Sequence, residues 1–254
     1  MAPCSKPRMS CSTEAHEPAP RPAAAATRSA PVVSNQPDTH EALPEVVDKH
    51  ARSHYSRPVS AHQRACFARL DQRVHEHAGP VILDSGCGVG ESTVALADCF
   101  PDHLVIGIDK SAARIDQAVK RAPSSRAVIV RGDCIDIWRL AADAHWPVTH
   151  HYLLYPNPWP KAKHLKRRWH GHPVFPVLIR LGGRLELRTN WLIYAREFEL
   201  ALARFDIATA PAAILAPGTA LTPFERKYRA SGHPLYRLAC DLPAATRTLT
   251  GDRG

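Results

Sequence analysis

The stretch Val81-Ile82-Leu83-Asp84-Ser85-Gly86-Cys87-Gly88-Val89-Gly90 limits the fold more than any other part of the chain. A short apolar run that ends in an acid and passes into glycines at alternate positions reads as a buried strand, a tight loop and the start of a helix. The pattern then repeats. Residues 104–109, 127–131, 151–155 and 184–188 read as strands, and helical patterns fill 91–99, 111–121, 134–144, 173–181 and 191–205. Strands separated by helices of this length imply a parallel sheet covered on both faces, because right-handed crossovers place the helices there. The fold expected is therefore α/β: a Rossmann-like doubly wound, mostly parallel seven-stranded sheet, with residues 235–240 as a final edge strand.

The organisation follows from composition. Residues 1–45 are rich in Pro, Ala and Ser without an apolar period and are expected to form a disordered tail. That tail lacks the apolar run of a secretory leader, and its prolines spoil the amphipathic helix of a transit peptide. Residues 46–79 read as a helical lead-in capped at Ser60, residues 80–245 as the catalytic domain and 246–254 as a second tail. With 44% hydrophobic and 22% charged residues the domain can bury a full core. No apolar run reaches the roughly 18 residues of a membrane span. Seven scattered cysteines without a C-x-x-C pair suit reduced thiols in the cytoplasm. Cys87 reads as a small packing residue, with a redox-sensitive thiol as the alternative. His164, His170 and His172 match no metal-ligand spacing, so no metal is expected. A net charge of +9 favours a polyanionic partner.

Three acids fall at successive strand ends. Asp84 precedes the glycine loop of Gly86, Gly88 and Gly90, Asp109 ends the next strand 25 residues later, and Asp133 follows the third. The G-x-G-x-G spacing is one residue tighter than the dinucleotide fingerprint, and an acid before it favours a ligand that is cationic at its reactive end. Asp109 can accept ribose hydroxyls and Asp133 an adenine amino group. Together they resemble the S-adenosylmethionine site of Rossmann-like methyltransferases. After the fourth strand, Pro156-Asn157-Pro158-Trp159-Pro160 should hold Asn157 at the sheet edge in a rigid extended turn. Trp159 either stacks on a base or covers the core. Lys161, Lys163, Lys166, Arg167 and Arg168 then read as phosphate contacts in preference to an ordinary solvated face.

At this point the chain resembles the tRNA (guanine-N7)-methyltransferases. Their P-D-P-W segment followed by K-x-x-H-x-K-R-R is matched by P-N-P-W and by Lys161, His164, Lys166, Arg167 and Arg168. Their T-D-W appears as Thr189-Asn190-Trp191, and their T-x-F-E as Thr222-Pro223-Phe224-Glu225. The resemblance implies S-adenosylmethionine held by Asp84, Asp109, Asp133, the glycine loop and Asn157. It also implies a guanine of tRNA met by Asn157, Lys161, Asn190, Thr222, Pro223, Phe224 and Glu225, with Asn157 in the catalytic position. Both family aspartates are asparagine here, which removes an anion from beside the base. The alternatives are a silent RNA-binding relative, or a methyltransferase for a different RNA or a small molecule.

Overall fold

The computed structural model describes residues 28–120 and 125–243. Five strands, β1 (Val81–Ser85), β2 (Leu104–Asp109), β3 (Ala127–Arg131), β4 (Val148–Leu154) and β5 (Gly183–Thr189), run parallel. The order across the sheet is β3-β2-β1-β4-β5-β7-β6. β7 (Tyr236–Leu242) is antiparallel to β5 and to the two-residue β6 (Ala213–Ile214). The seven-stranded, mostly parallel sheet is as expected from the sequence, with one correction. β7 lies inside the sheet and β6 forms the edge. β6 is too short to leave a strand pattern.

Among the described residues, eight α-helices surround the sheet: α1 (Leu43–Ala51), α2 (Ala61–His77), α3 (Glu91–Cys99), α4 (Ala112–Val119), α5 (Cys134–Asp143), α6 (Phe175–Arg180), α7 (Leu192–Ala203) and α8 (Pro223–Ala230). Alternation along β1 divides them. Val81 and Leu83 join the larger core with Leu70 of α2, Trp138 of α5 and Phe198 of α7, while Ile82 packs with Leu96 and Ala97 of α3. All five residues of β1 and all six of β2 are buried, as strands covered on both faces must be. Ser60 caps α2 through Gln63 N at 3.3 Å, and Ser111 caps α4 through Arg114 N at 3.4 Å. Phe198 is fully buried, so its truncation to alanine would cost about 3–5 kcal/mol. Among the described residues no helix is long and apolar enough to cross a membrane.

The N-terminal boundary needs correction. Order expected to begin at residue 46 is already present from residue 28. Gln36 is buried and donates to Glu197 Oε1 of α7 at 2.6 Å, and α1 buries Leu43 and Val47. Residues 1–27 and 246–254 of the expected tails, and the expected end of α4 at Arg121, lie outside the described residues.

Candidate active site

The strand order reverses between β1 and β4, and open α/β sheets form their ligand crevice at such a point. A cavity of about 600 Å³ lies there, at the carboxyl ends of the strands. Gly86, Asp109, Asp133 and Asn157 line it from the loops after β1 to β4, and Phe224 and Tyr228 from α8. A smaller cleft of about 350 Å³ shares Lys110, Gly132 and Asp133 with it and adds His62, Gln63 and Arg131.

The glycine loop has two jobs. Gly86 (φ +82°) and Gly88 (φ +60°) face open space where a Cβ would stand, so bare backbone meets whatever enters. Gly90 (φ +76°) is required by packing, since a Cβ there would lie 2.5 Å from Ile129 Cδ1. The acids differ in role. Asp84 is 1% exposed and lies behind the loop without lining the cavity. Its Oδ2 accepts hydrogen bonds from Ser92 and Thr93 at 2.6 and 2.7 Å, while its buried Oδ1 has no partner. Burial pushes this carboxyl up to about 6, against the pull of those two hydroxyls. Asp109 accepts from Gly88 N at 3.1 Å and Ser111 N at 2.8 Å, so it shapes the glycine loop as well as lining the cavity. Asp133 caps α5 by accepting from Ile135 N at 3.0 Å, and its other oxygen pairs with Arg57 at 3.2 Å.

The proline segment departs from the extended turn expected of it. Tyr155 (φ 52°) and Trp159 (φ 46°) both precede prolines yet sit in the left-handed region, which is strained for bulky residues. Their contacts hold them there. Tyr155 N donates to Arg188 O at 2.8 Å, Trp159 N donates to Asn157 Oδ1 at 3.2 Å, and the Arg167 guanidinium lies 4.8 Å from the centre of the Trp159 ring. Trp159 thus lines the cavity rather than covering the core.

Two further corrections concern the cations and Glu225. Lys161, Lys163, Lys166 and Arg167 are exposed on or beside the 3-10 turn Ala162–Arg167, as a phosphate-facing run requires. Arg168 is not. It is wholly buried, donates to Glu197 Oε2 at 2.5 Å, Gln36 Oε1 at 3.0 Å and two backbone carbonyls, and lies 4.9 Å from the centre of the Trp191 ring. His170 is buried with it, Nε2 at 2.7 Å from Glu197 Oε2. Glu225, expected to read a base, is fully buried with Oε1 bound to Arg229 at 2.9 Å and Oε2 to Arg188 at 3.0 Å. Thr222 caps α8 by accepting from Glu225 N at 3.0 Å, with Pro223 in its first turn. Both serve the helix, which leaves Phe224 as the member of that motif in the cavity wall. Asn190 stays outside the cavity lining, its Nδ2 3.3 Å from His233 Nδ1.

Sequence reasoning missed the aromatic wall of Tyr155, Trp169, Tyr194, Tyr228 and His172, and also Lys110. These arrive from five separate segments with no shared spacing, so only the fold collects them. Burial and nearby cations hold His172 down at about 4, leaving its ring neutral at physiological pH. Among the described residues no group of three or more His, Cys, Asp or Glu could hold a metal ion.

A neutral aromatic wall, a bare glycine loop backed by an acid with one unpartnered oxygen, and exposed lysines on the adjoining turn together suit a transferase with a nucleotide-like donor and a polyanionic acceptor. Residues 78–238 match the family model described as "Putative methyltransferase". A tRNA (guanine-N(7)-)-methyltransferase of Mycobacterium ulcerans is 31% identical over 243 residues, covering 85% of this chain and 82% of that protein. That of Treponema pallidum is 30% identical over 165 residues, 63% of this chain, and this chain spans 66% of its length. Among solved structures, the 16S rRNA methyltransferase KamB shares the fold at a TM-score of 0.51 and 17% identity, over 73% of this chain and 95% of that one. The chain belongs to the tRNA (guanine-N7)-methyltransferase family.

Proposed function

We propose that this protein transfers a methyl group from S-adenosylmethionine to N7 of a guanine in tRNA, acting in the cytoplasm. The observation that carries the reading is a junction: the strained segment that sets Asn157 in the cavity wall continues directly into the exposed Lys161, Lys163 and Lys166. One segment thus joins a small-molecule cavity to a phosphate-binding surface.

The residues present fit the cofactor. Its adenosine would lie toward Asp109 and Asp133, and the open backbone of Gly86 and Gly88 admits its chain. The unpartnered oxygen of Asp84 supplies negative potential behind the loop for its cationic end. S-adenosylmethionine supplies a sulfonium-borne methyl group, which the N7 lone pair of guanine takes without loss of a proton while the bonding pair returns to sulfur. The chain therefore has no base to provide. Its part is alignment and electrostatics. Trp159 and Phe224 offer faces for stacking the base, Asn157 a side-chain amide to orient it, and the lysines contacts for the flanking phosphates.

Calorimetry with S-adenosylhomocysteine, followed by label transfer from S-adenosylmethionine to bulk tRNA over a salt series, tests this. Binding together with RNA methylation that weakens steeply with salt supports it. Transfer that goes only to small molecules and ignores salt overturns it.

A further inference from the structure

The segment from Ser29 to His40 crosses from one wall of the cavity to the other. On the α8 side, Ser29 N donates to Ser231 Oγ at 2.8 Å, and His233 Nε2 donates to the Ser29 carbonyl at 2.9 Å. The same His233 meets Asn190 through its other ring nitrogen. On the opposite side, Ser34 Oγ donates to the Pro160 carbonyl at 2.5 Å, Ala162 N donates to Asn35 Oδ1 at 3.2 Å, and Gln36 Oε1 accepts from buried Arg168. Gln36 Nε2 and His40 N both end on Glu197 Oε1, at 2.6 and 2.9 Å. Val32, between the two ends, packs on the core.

These contacts have a direction. The groups that Ser34 and Asn35 satisfy are backbone atoms of the very loop that carries Asn157, Trp159 and Lys161. That loop has no strand or α-helix of its own, only 3-10 turns, whose hydrogen bonds are poorer. The loop's shape is thus completed from outside, by a part of the chain that does not itself line the cavity. A misplacement of about 1 Å in an aligned site costs roughly a hundredfold in rate.

We propose that residues 29–36 are a positioning strap that fixes the proline loop against the α8 side and so sets the gap in which base and methyl donor meet. Its kinetic consequence rests on the methyl-transfer reading; its structural consequence does not. The test uses the full chain with two paired changes, Ser34→Ala with Asn35→Ala, and Ser34→Thr with Asn35→Asp. The second pair keeps a hydroxyl donor at 34 and an oxygen acceptor at 35, a carboxylate in place of the amide. Gln36 is left alone, because its loss would strand Arg168 and Glu197 in the interior. Amide hydrogen exchange should quicken about tenfold or more across residues 157–168 in the alanine pair and stay unchanged in β1. S-adenosylhomocysteine affinity should hold within about twofold while kcat on tRNA falls about tenfold or more, and the Thr/Asp pair should restore both exchange and rate. Unchanged exchange at 157–168 in the alanine pair, or a Thr/Asp pair as impaired as the alanine pair, overturns the strap. A wild-type chain that methylates no tRNA overturns the functional reading instead, and the exchange arm still decides the strap.

Discussion

Under the proposed function, Asn157 is the residue whose identity would most affect the chemistry. Positive charge grows on the purine as the methyl arrives, and an amide beside it orients the base without stabilising that charge. An anion there is worth of order 1–3 kcal/mol, roughly ten- to hundredfold in rate. Asn157→Asp should therefore raise the single-turnover rate by about that factor. Asn190→Asp should do much less, since Asn190 faces His233 and does not line the cavity. Asp84 supplies a second residue-scale prediction. Its carboxyl rises from 3.8 to about 6 on folding, so the folded chain binds the proton more tightly than the unfolded one. A raised carboxyl loses stability as pH climbs from about 4 to about 6, of order 3 kcal/mol in all. Asp84→Asn should accordingly stabilise the ligand-free protein in urea unfolding at pH 7.5 and make little difference at pH 4, while weakening cofactor binding. Residue types at the site were legible in the sequence, but directions were not. Arg167 and Arg168 are neighbours, yet one stacks on Trp159 and the other is buried against Glu197, because adjacent residues on a tight turn point to different sides.

The basic turn and α8 make the same point for elements. The sequence put five cations on one phosphate-facing run, yet on and beside the 3-10 turn they divide into four exposed and one buried. The division can be measured. Lys163→Ala and Lys166→Ala should each lower the slope of log affinity for tRNA against log salt by about 0.7–0.9 and leave thermal unfolding unmoved. Arg168→Met should instead destabilise the fold by about 3–5 kcal/mol, because the buried Glu197 loses the guanidinium that neutralises it. Helix α8 was invisible as a helix for a physical reason. Its single buried residue is Glu225, and its two aromatics, Phe224 and Tyr228, line the cavity instead of entering the core. It is docked by ion pairs, Glu225 to Arg188 and Arg226 to Glu91, and pairing of that kind cannot be inferred from spacing along one chain.

At the scale of the whole molecule, the alternation of apolar runs and helical patterns was sufficient for the sheet, its parallel part and the edge that holds the cavity. Ala127–Arg131 of β3 and Leu104–Asp109 of β2 matched to the residue, since each is a short apolar run ended by a charged residue; β2 is buried throughout, while β3, at the sheet edge, is only partly buried. What composition concealed was order with distant causes. Residues 28–42 look like a tail because their partners are elsewhere; Gln36 is held by Glu197, 161 positions away. The same separation hides the aromatic wall. Both serve the proposed function, in which the sheet edge would bind a sulfonium donor and a strapped, lysine-bearing loop would present tRNA to it. The most direct test is to incubate the full chain with S-adenosylmethionine and unmodified tRNA, digest the RNA to nucleosides and quantify 7-methylguanosine by mass spectrometry. 7-Methylguanosine should accumulate with time and enzyme and rise further with Asn157→Asp. Tight uptake of S-adenosylhomocysteine with no 7-methylguanosine from either protein would contradict the proposed function.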